Sequence, residues 1–201
     1  MRTLLVLSLA ICLLFSVSTI ASADVIRLTP EISKSTLDMG GEDLEGNIYY
    51  LSGDLNFVVV RLGADLGYGE LDDTEFTMAG ARIGTEFPLV LFKLIAFAGY
   101  QAYEFDPKGG SAVKVKGTVL GVGLEKELNN FFSIRGQALI PADLKSDQLN
   151  GDIDLTSAKV DLIFTTLPLV DFFVGYRTLK FEDNKGKLDL SGYHAGVRIG
   201  F

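Results

Sequence analysis

The feature that most constrains this chain is the way its apolar residues are spread. Hydrophobic residues make up 48% of it. Yet past the first two dozen residues no apolar run approaches the roughly 18 residues that a helical membrane span requires. Apolar positions instead alternate with small and polar ones, most plainly over residues 188–201, LDLSGYHAGVRIGF. Tyr193, Ala195, Val197, Ile199 and Phe201 fall on one face of an extended strand, and His194, Gly196, Arg198 and Gly200 on the other, because strand side chains alternate with period two. The first face suits lipid and the second a polar, tightly spaced interior, which is the alternation of a transmembrane barrel strand.

The N-terminus reads as a targeting segment. Arg2 gives a positive start, residues 4–15 are apolar, and Ala21-Ser22-Ala23 supplies small residues for cleavage before Asp24. This divides the chain into a signal peptide, 1–23, and a barrel, 24–201. Ile11 is too bulky, and Cys12 too early in the apolar run, for a lipoprotein cleavage site. Cleavage after Ala23 removes that cysteine, the only one in the chain. Disulfides and thiolate metal sites are thereby excluded. Cleavage also removes Arg2, making the mature chain more acidic than the net −8 of the whole. Such a balance argues against nucleic acid as a partner, since phosphate binding needs a basic surface.

Period-two alternation, punctuated by turn chemistry, predicts strands over residues 25–35, 47–56, 58–69, 76–87, 91–106, 114–128, 132–144, 152–166, 172–182 and 188–201. Pro30 weakens the first, since proline cannot donate to a ladder. The facing of 91–106 is not set by its sequence. The fold expected is an all-β, antiparallel, up-and-down transmembrane barrel of ten strands. Eight strands, with residues 25–44 as a plug or arm, is the alternative. Polar loops at 38–46, 70–75, 107–110, 145–151 and 183–186 alternate with tight turns at 56–58, 87–91, 128–131 and 166–171, the asymmetry expected of external loops and periplasmic turns. Phe87, Phe92, Phe131, Phe132, Phe172, Phe173 and Phe201 form a girdle at the turn side, and Tyr49, Tyr68, Tyr103, Tyr176 and Tyr193 one at the loop side. A soluble barrel would turn its apolar face inward. Here glycine and charge hold the inner face and apolar bulk the outer. Central Leu62 and Leu162 should therefore resist substitution by charge, while Gly69 and Thr74 near the strand ends should tolerate change.

The pattern His194-x-Gly196-x-x-Ile199-x-Phe201 resembles the C-terminal targeting strand of bacterial outer-membrane β-barrel proteins. That resemblance implies export through the signal peptide, handling by periplasmic chaperones and barrel-assembly machinery, and residence in a Gram-negative-type outer membrane beside lipopolysaccharide. Three function classes follow by resemblance: a structural or surface-interaction barrel like OmpX or the OmpA domain, a narrow porin-like channel like OmpW, and a lipid-modifying outer-membrane enzyme.

No catalytic motif is present, neither a Gly-x-Ser-x-Gly elbow nor a His-Glu-x-x-His nor a phosphate-binding glycine loop. His194, the only histidine, fills the polar slot of the targeting strand, and a structural role outweighs a catalytic one. No enzyme activity and no cofactor are expected. The inward charges carry more information: Arg61, Asp65, Arg82, Glu86, Glu125, Arg135, Lys159, Asp161 and Arg198, with Arg27, Glu31 and Asp54 on the first two strands. Desolvated charges in a narrow barrel must pair, so a charge-paired, filled lumen is expected ahead of a charge-lined pore. Arg61/Asp65 and Arg82/Glu86, each four residues apart on successive strands, should meet unlike charges across an antiparallel hairpin. The acidic loop residues Asp38, Glu42, Asp43, Asp72 and Asp73 are candidates for divalent-cation contacts to lipopolysaccharide, without the spacing of a dedicated metal site.

Overall fold

Alternation carried through the chain yields ten strands, and the computed structural model places them in one closed antiparallel barrel in which each strand pairs with its sequence neighbours and β1 closes against β10. They are β1 (Ile26–Met39), β2 (Asp43–Asn56), β3 (Arg61–Leu71), β4 (Thr74–Pro88), β5 (Lys93–Pro107), β6 (Val113–Glu127), β7 (Phe132–Ser146), β8 (Asp154–Leu167), β9 (Val170–Glu182) and β10 (Lys187–Gly200). The structure describes residues 25–57, 60–146, 153–167, 169–182 and 187–201. The expected signal segment, Val58, most of the 145–151 loop and the 183–186 loop lie outside them.

Residues 25–44 form strand rather than the plug or arm of the eight-strand alternative. β1 runs unbroken through Pro30, which points outward; its register with β10 holds at Leu28↔Ile199, skips Thr29 and Pro30, and resumes at Glu31↔Gly196. That lapse is the missing proline donor made visible. The closing seam ends with Phe201 N–H donating to Ile26 O at 2.8 Å.

The first two loops are shorter than expected because the strands extend into them. Asp38–Gly46, expected as a loop, is mostly ladder, with Asp38↔Asp43 the last pair and Gly40 and Gly41 in the left-handed region of the turn. Between β3 and β4 only Asp72 and Asp73 intervene. Two bulges take up extra residues: Ala142 in β7, where the β6 register shifts between Thr118 and Val119, and Thr166 in β8. The first reverses the facing beyond it, so that Leu144 points inward and Lys145 outward.

The outer face is an apolar belt, with Leu62, Leu66, Ile83, Leu120, Leu124, Ile134, Leu162 and Val174 all exposed. Tyr49, Tyr68, Tyr100, Tyr176 and Tyr193 stand out on the loop side of this belt, and Phe87, Phe92, Phe131, Phe132, Phe172 and Phe201 on the turn side. Two members of the expected girdles turn inward instead. Tyr103 and Phe173 are buried, because β5 and β9 place their odd-numbered residues inside. Gly69 and Thr74 are likewise interior. A Cβ on Gly69 would lie 2.3 Å from the Asn47 carbonyl oxygen, and Thr74 is buried, so tolerance there is not the expectation the structure supports.

Candidate functional site

The lumen has two halves of opposite chemistry. Toward the loops it is apolar: Leu37, Ile48, Leu71, Phe76, Phe105 and Leu190 are at most 1% exposed and pack into one cluster with Val115, Leu155 and Phe181. Its rings form a chain across the barrel. Tyr50 on β2 meets Phe76 on β4 at 6.3 Å between centroids, Phe76 meets Phe105 on β5 at 5.1 Å, and Phe105 reaches Phe181 on β9 at 6.2 Å. Water has no room in such a plug. The sequence reading, which gave the inner face to glycine and charge, missed it. The signal was there in the parity: Phe76, Phe105 and Phe181 share the inward register of Arg82, Gln101 and Arg177.

Toward the turns the lumen is charged, and the residues expected to line it do so. Arg82 on β4 pairs with Asp65 on β3 and with Asp54 on β2, the latter at 2.7 Å, while Ser52 Oγ donates to Asp65 at 2.6 Å. Arg61 pairs with Glu86 at 2.5 Å and donates from Nε to Asn56 Oδ1 at 2.7 Å. Both hairpin pairs thus join unlike charges diagonally across the β3–β4 ladder. Arg135 donates from Nε to Glu125 Oε2 at 2.6 Å, and Lys93 approaches Glu125 at 3.4 Å. Lys159 reaches from β8 to Glu31 on β1 at 2.6 Å, where Arg177 of β9 joins the same carboxylate. Arg198 meets Asp171 at 3.2 Å. Lys93, Asp171 and Arg177 were not singled out from the sequence, since the facing of β5 was open and Arg177 lies in an aromatic stretch.

Glycine sets the reach of these pairs. Asp54, Gly63 and Arg82 form a row across β2, β3 and β4, and Asp161, Gly175 and His194 form the same kind of row across β8, β9 and β10. In each, the outer two side chains touch over the bare glycine. His194 Nε2 and Asp161 Oδ1 are 2.6 Å apart. A Cβ on Gly63 would lie 2.6 Å from Asp54 Oδ1, and one on Gly175 2.7 Å from His194 Nε2. His194 therefore has the carboxylate that a general base would need. The hydroxyl facing it across the ladder, Ser33, is fully buried and engaged with Ser35 and the Tyr193 carbonyl.

Between the plug and the turns lies a cavity of about 200 Å³, lined among others by Arg27, Arg61, Arg82, Arg135, Lys159 and Arg198. Side-chain exposure around it rises from 3% at Glu31 and 5% at Asp161 to 19% at Glu86 and 34% at Lys93. Solvent thus reaches it from the turn side.

Of the other predicted residues, His194 touches the cavity wall through Asp161, while the acidic loop residues lie apart from it. His194 and Gly196 face inward on β10, Ile199 faces outward beside the seam, and Phe201 ends the chain exposed. Asp38 accepts from Gly41 N–H at 3.0 Å, Asp72 from Glu45 N–H at 2.9 Å, and Asp73 from Lys108 Nζ at 3.3 Å. Glu42 lies in the first turn, its carbonyl accepting from Met39 N–H at 3.2 Å, and Asp43 opens β2. Among the described residues no three His, Cys, Asp or Glu side chains converge as metal ligands.

No protein-family model matches the chain, and no curated protein matches it in sequence. Solved structures do match in fold. The outer-membrane protease OmpT from Escherichia coli superposes with a TM-score of 0.61 at 12% identity, covering 92% of this chain and all (100%) of that one. The β domain of the Bordetella autotransporter BrkA gives 0.52 at 11% identity, over 89% of this chain and 100% of its own. Neisserial surface protein A gives 0.50 at 16% identity, over 90% and 100%. At such identities the likeness speaks for the fold, and the fold is that of bacterial outer-membrane β-barrels.

Proposed function

We propose that this chain serves as a structural or surface-interaction barrel of the outer membrane, closed to solutes, and neither a through-pore nor an enzyme. The observation that carries this reading is the apolar plug. Residues contributed by strands all round the wall fill the loop half of the lumen to near-zero exposure. An ion crossing it would have to shed its hydration among hydrocarbon side chains. The charged turn half does not offset this, because a path is only as open as its tightest layer. Against an enzyme stands the His194–Asp161 pair, whose ladder-facing hydroxyl, Ser33, is buried and already engaged with Ser35 and the Tyr193 carbonyl. On this reading residues 1–23 direct export, the closing strand presents His194, Gly196, Ile199 and Phe201 to the assembly machinery, and the belt faces lipid and lipopolysaccharide. The charged strand ends on the loop side then form the outward surface.

The test is conductance. Purified barrel in planar bilayers should give no resolved steps. The combined change of Phe76, Phe105 and Phe181 to Ala, which removes the ring chain, should give them if it folds. Steady single-channel currents from the unaltered protein would refute the closed-lumen reading.

A further inference from the structure

We propose that the turn-side cavity binds a small tetrahedral oxyanion of the phosphate or sulfate class, held by Arg27 with Arg61, Arg135 and Arg198. These four arginines come from β1, β3, β7 and β10 and line the same cavity. Arg27 differs from the rest. Each other inward cation of this half has a carboxylate partner among the described residues, and Arg27 has none. Its ladder neighbour on β2 is Asp54, but that carboxylate is engaged by Arg82 at 2.7 Å. Among the described residues Arg27 is thus the one inward cation of this half without a carboxylate partner, in a space where an unanswered charge is costly.

The remaining arginines keep donors in hand. Each guanidinium has five N–H groups in a fixed fork that matches paired oxygens. Arg198 makes a single contact to Asp171, at 3.2 Å through Nη1, and Arg61 uses Nε and Nη1. Thr29, Thr85 and Gln137 add neutral donors to the lining. Charge-assisted bonds from several forks favour an oxyanion over a halide, which offers no directed oxygens. A volume of about 200 Å³ holds such an ion with a few waters, and the plug above it makes the cavity a cup rather than a passage. Only that last point rests on the closed-lumen reading. Conductance decides that reading, and anion titration decides this one.

The experiment is calorimetric titration of the folded barrel in neutral detergent with sodium phosphate and sodium sulfate, against sodium chloride at matched ionic strength. The expected result is one saturable oxyanion site per barrel and none for chloride. Arg27→Gln should weaken phosphate binding by about tenfold or more, as loss of a charge-assisted bond does, while outward-facing Lys116→Gln leaves it unchanged. Oxyanion titrations that match chloride, or an Arg27→Gln barrel that binds phosphate as the parent does, would overturn the proposal. Should Arg27→Gln fail to fold, the parent protein still decides. Its urea-unfolding midpoint should rise with phosphate more than with chloride, and equal midpoints would also overturn it.

Discussion

Arg82 on β4 touches Asp54 on β2 at 2.7 Å although a whole strand runs between them. The contact exists because the residue between them in the row is Gly63, and the same device joins Asp161 to His194 over Gly175. In both places glycine acts as a gap in the inner wall, letting charges reach across rather than along the ladder.

Gly63→Ala and Gly175→Ala should each destabilise the barrel by about 1–3 kcal/mol, the range for overpacking a filled interior. The new methyl group must displace Asp54 and Arg82 in one case and His194 and the Val160 carbonyl in the other. Gly136 on β7 is the control. A Cβ there meets nothing within 4 Å, and Gly136→Ala should be neutral or stabilise by up to about 1 kcal/mol through the unfolded chain. Urea unfolding from lipid vesicles measures all three; equal effects at Gly63 and Gly136 would contradict the bridging role.

How much of this was legible beforehand depends on which residues are asked. The outward facing of Leu62 or Leu162 follows from period two alone, because a one-residue slip would turn every side chain over, whereas the choice of ten strands over eight rested on whether residues 25–44 pair. The charge pairs of the β3–β4 hairpin followed from spacing, since antiparallel pairing reverses charge order. The rows through Gly63 and Gly175 needed the register of three strands, which no single segment contains. The plug was hidden for another reason. Phe76 and Phe105 look the same in sequence whether they face lipid or lumen, and only parity with a fixed inward charge tells the two apart. The reversal of facing after the Ala142 bulge depends on backbone that departs from the period.

Leu62→Arg and Leu162→Arg, both on the exposed belt, should destabilise by about 2–4 kcal/mol, the cost of cationic side chains near the bilayer midplane. Gly69→Ala should also be harmful despite its place near a strand end, because its Cβ would strike the Asn47 carbonyl oxygen at 2.3 Å. Folding titrations into vesicles distinguish the causes. The Leu variants should recover in detergent micelles, which deform around a charge, and Gly69→Ala should not.

Phe201 contributes an exposed ring and a backbone N–H that bonds Ile26 O at 2.8 Å. Phe201→Ala keeps that bond and removes the ring, while deletion removes both. If the ring is what the assembly machinery reads, both variants should reach the outer membrane poorly in cells, yet Phe201→Ala should refold in vitro within about 1 kcal/mol of the parent, as exposed substitutions usually do. Normal outer-membrane levels of Phe201→Ala would remove the ring from the targeting role.

The last prediction concerns the fork of Arg82, which holds Asp65 and Asp54 at once. Asp65→Ala leaves Arg82 its bond to Asp54 and removes a charged hydrogen-bond partner, so it should cost about 1.5–3 kcal/mol. Asp54→Ala should cost a similar amount. Removing both leaves a half-dry guanidinium with no carboxylate, and breaking a buried pair outright costs more, about 3–5 kcal/mol for that step alone. The double variant should therefore lose more than the two single losses added together. Urea unfolding of the four proteins closes the cycle. Strict additivity would mean that water already screens Arg82, and the turn half of the lumen would then be a solvated vestibule rather than a packed network. In that case each single loss should also shrink below about 1 kcal/mol, the range of exposed pairs.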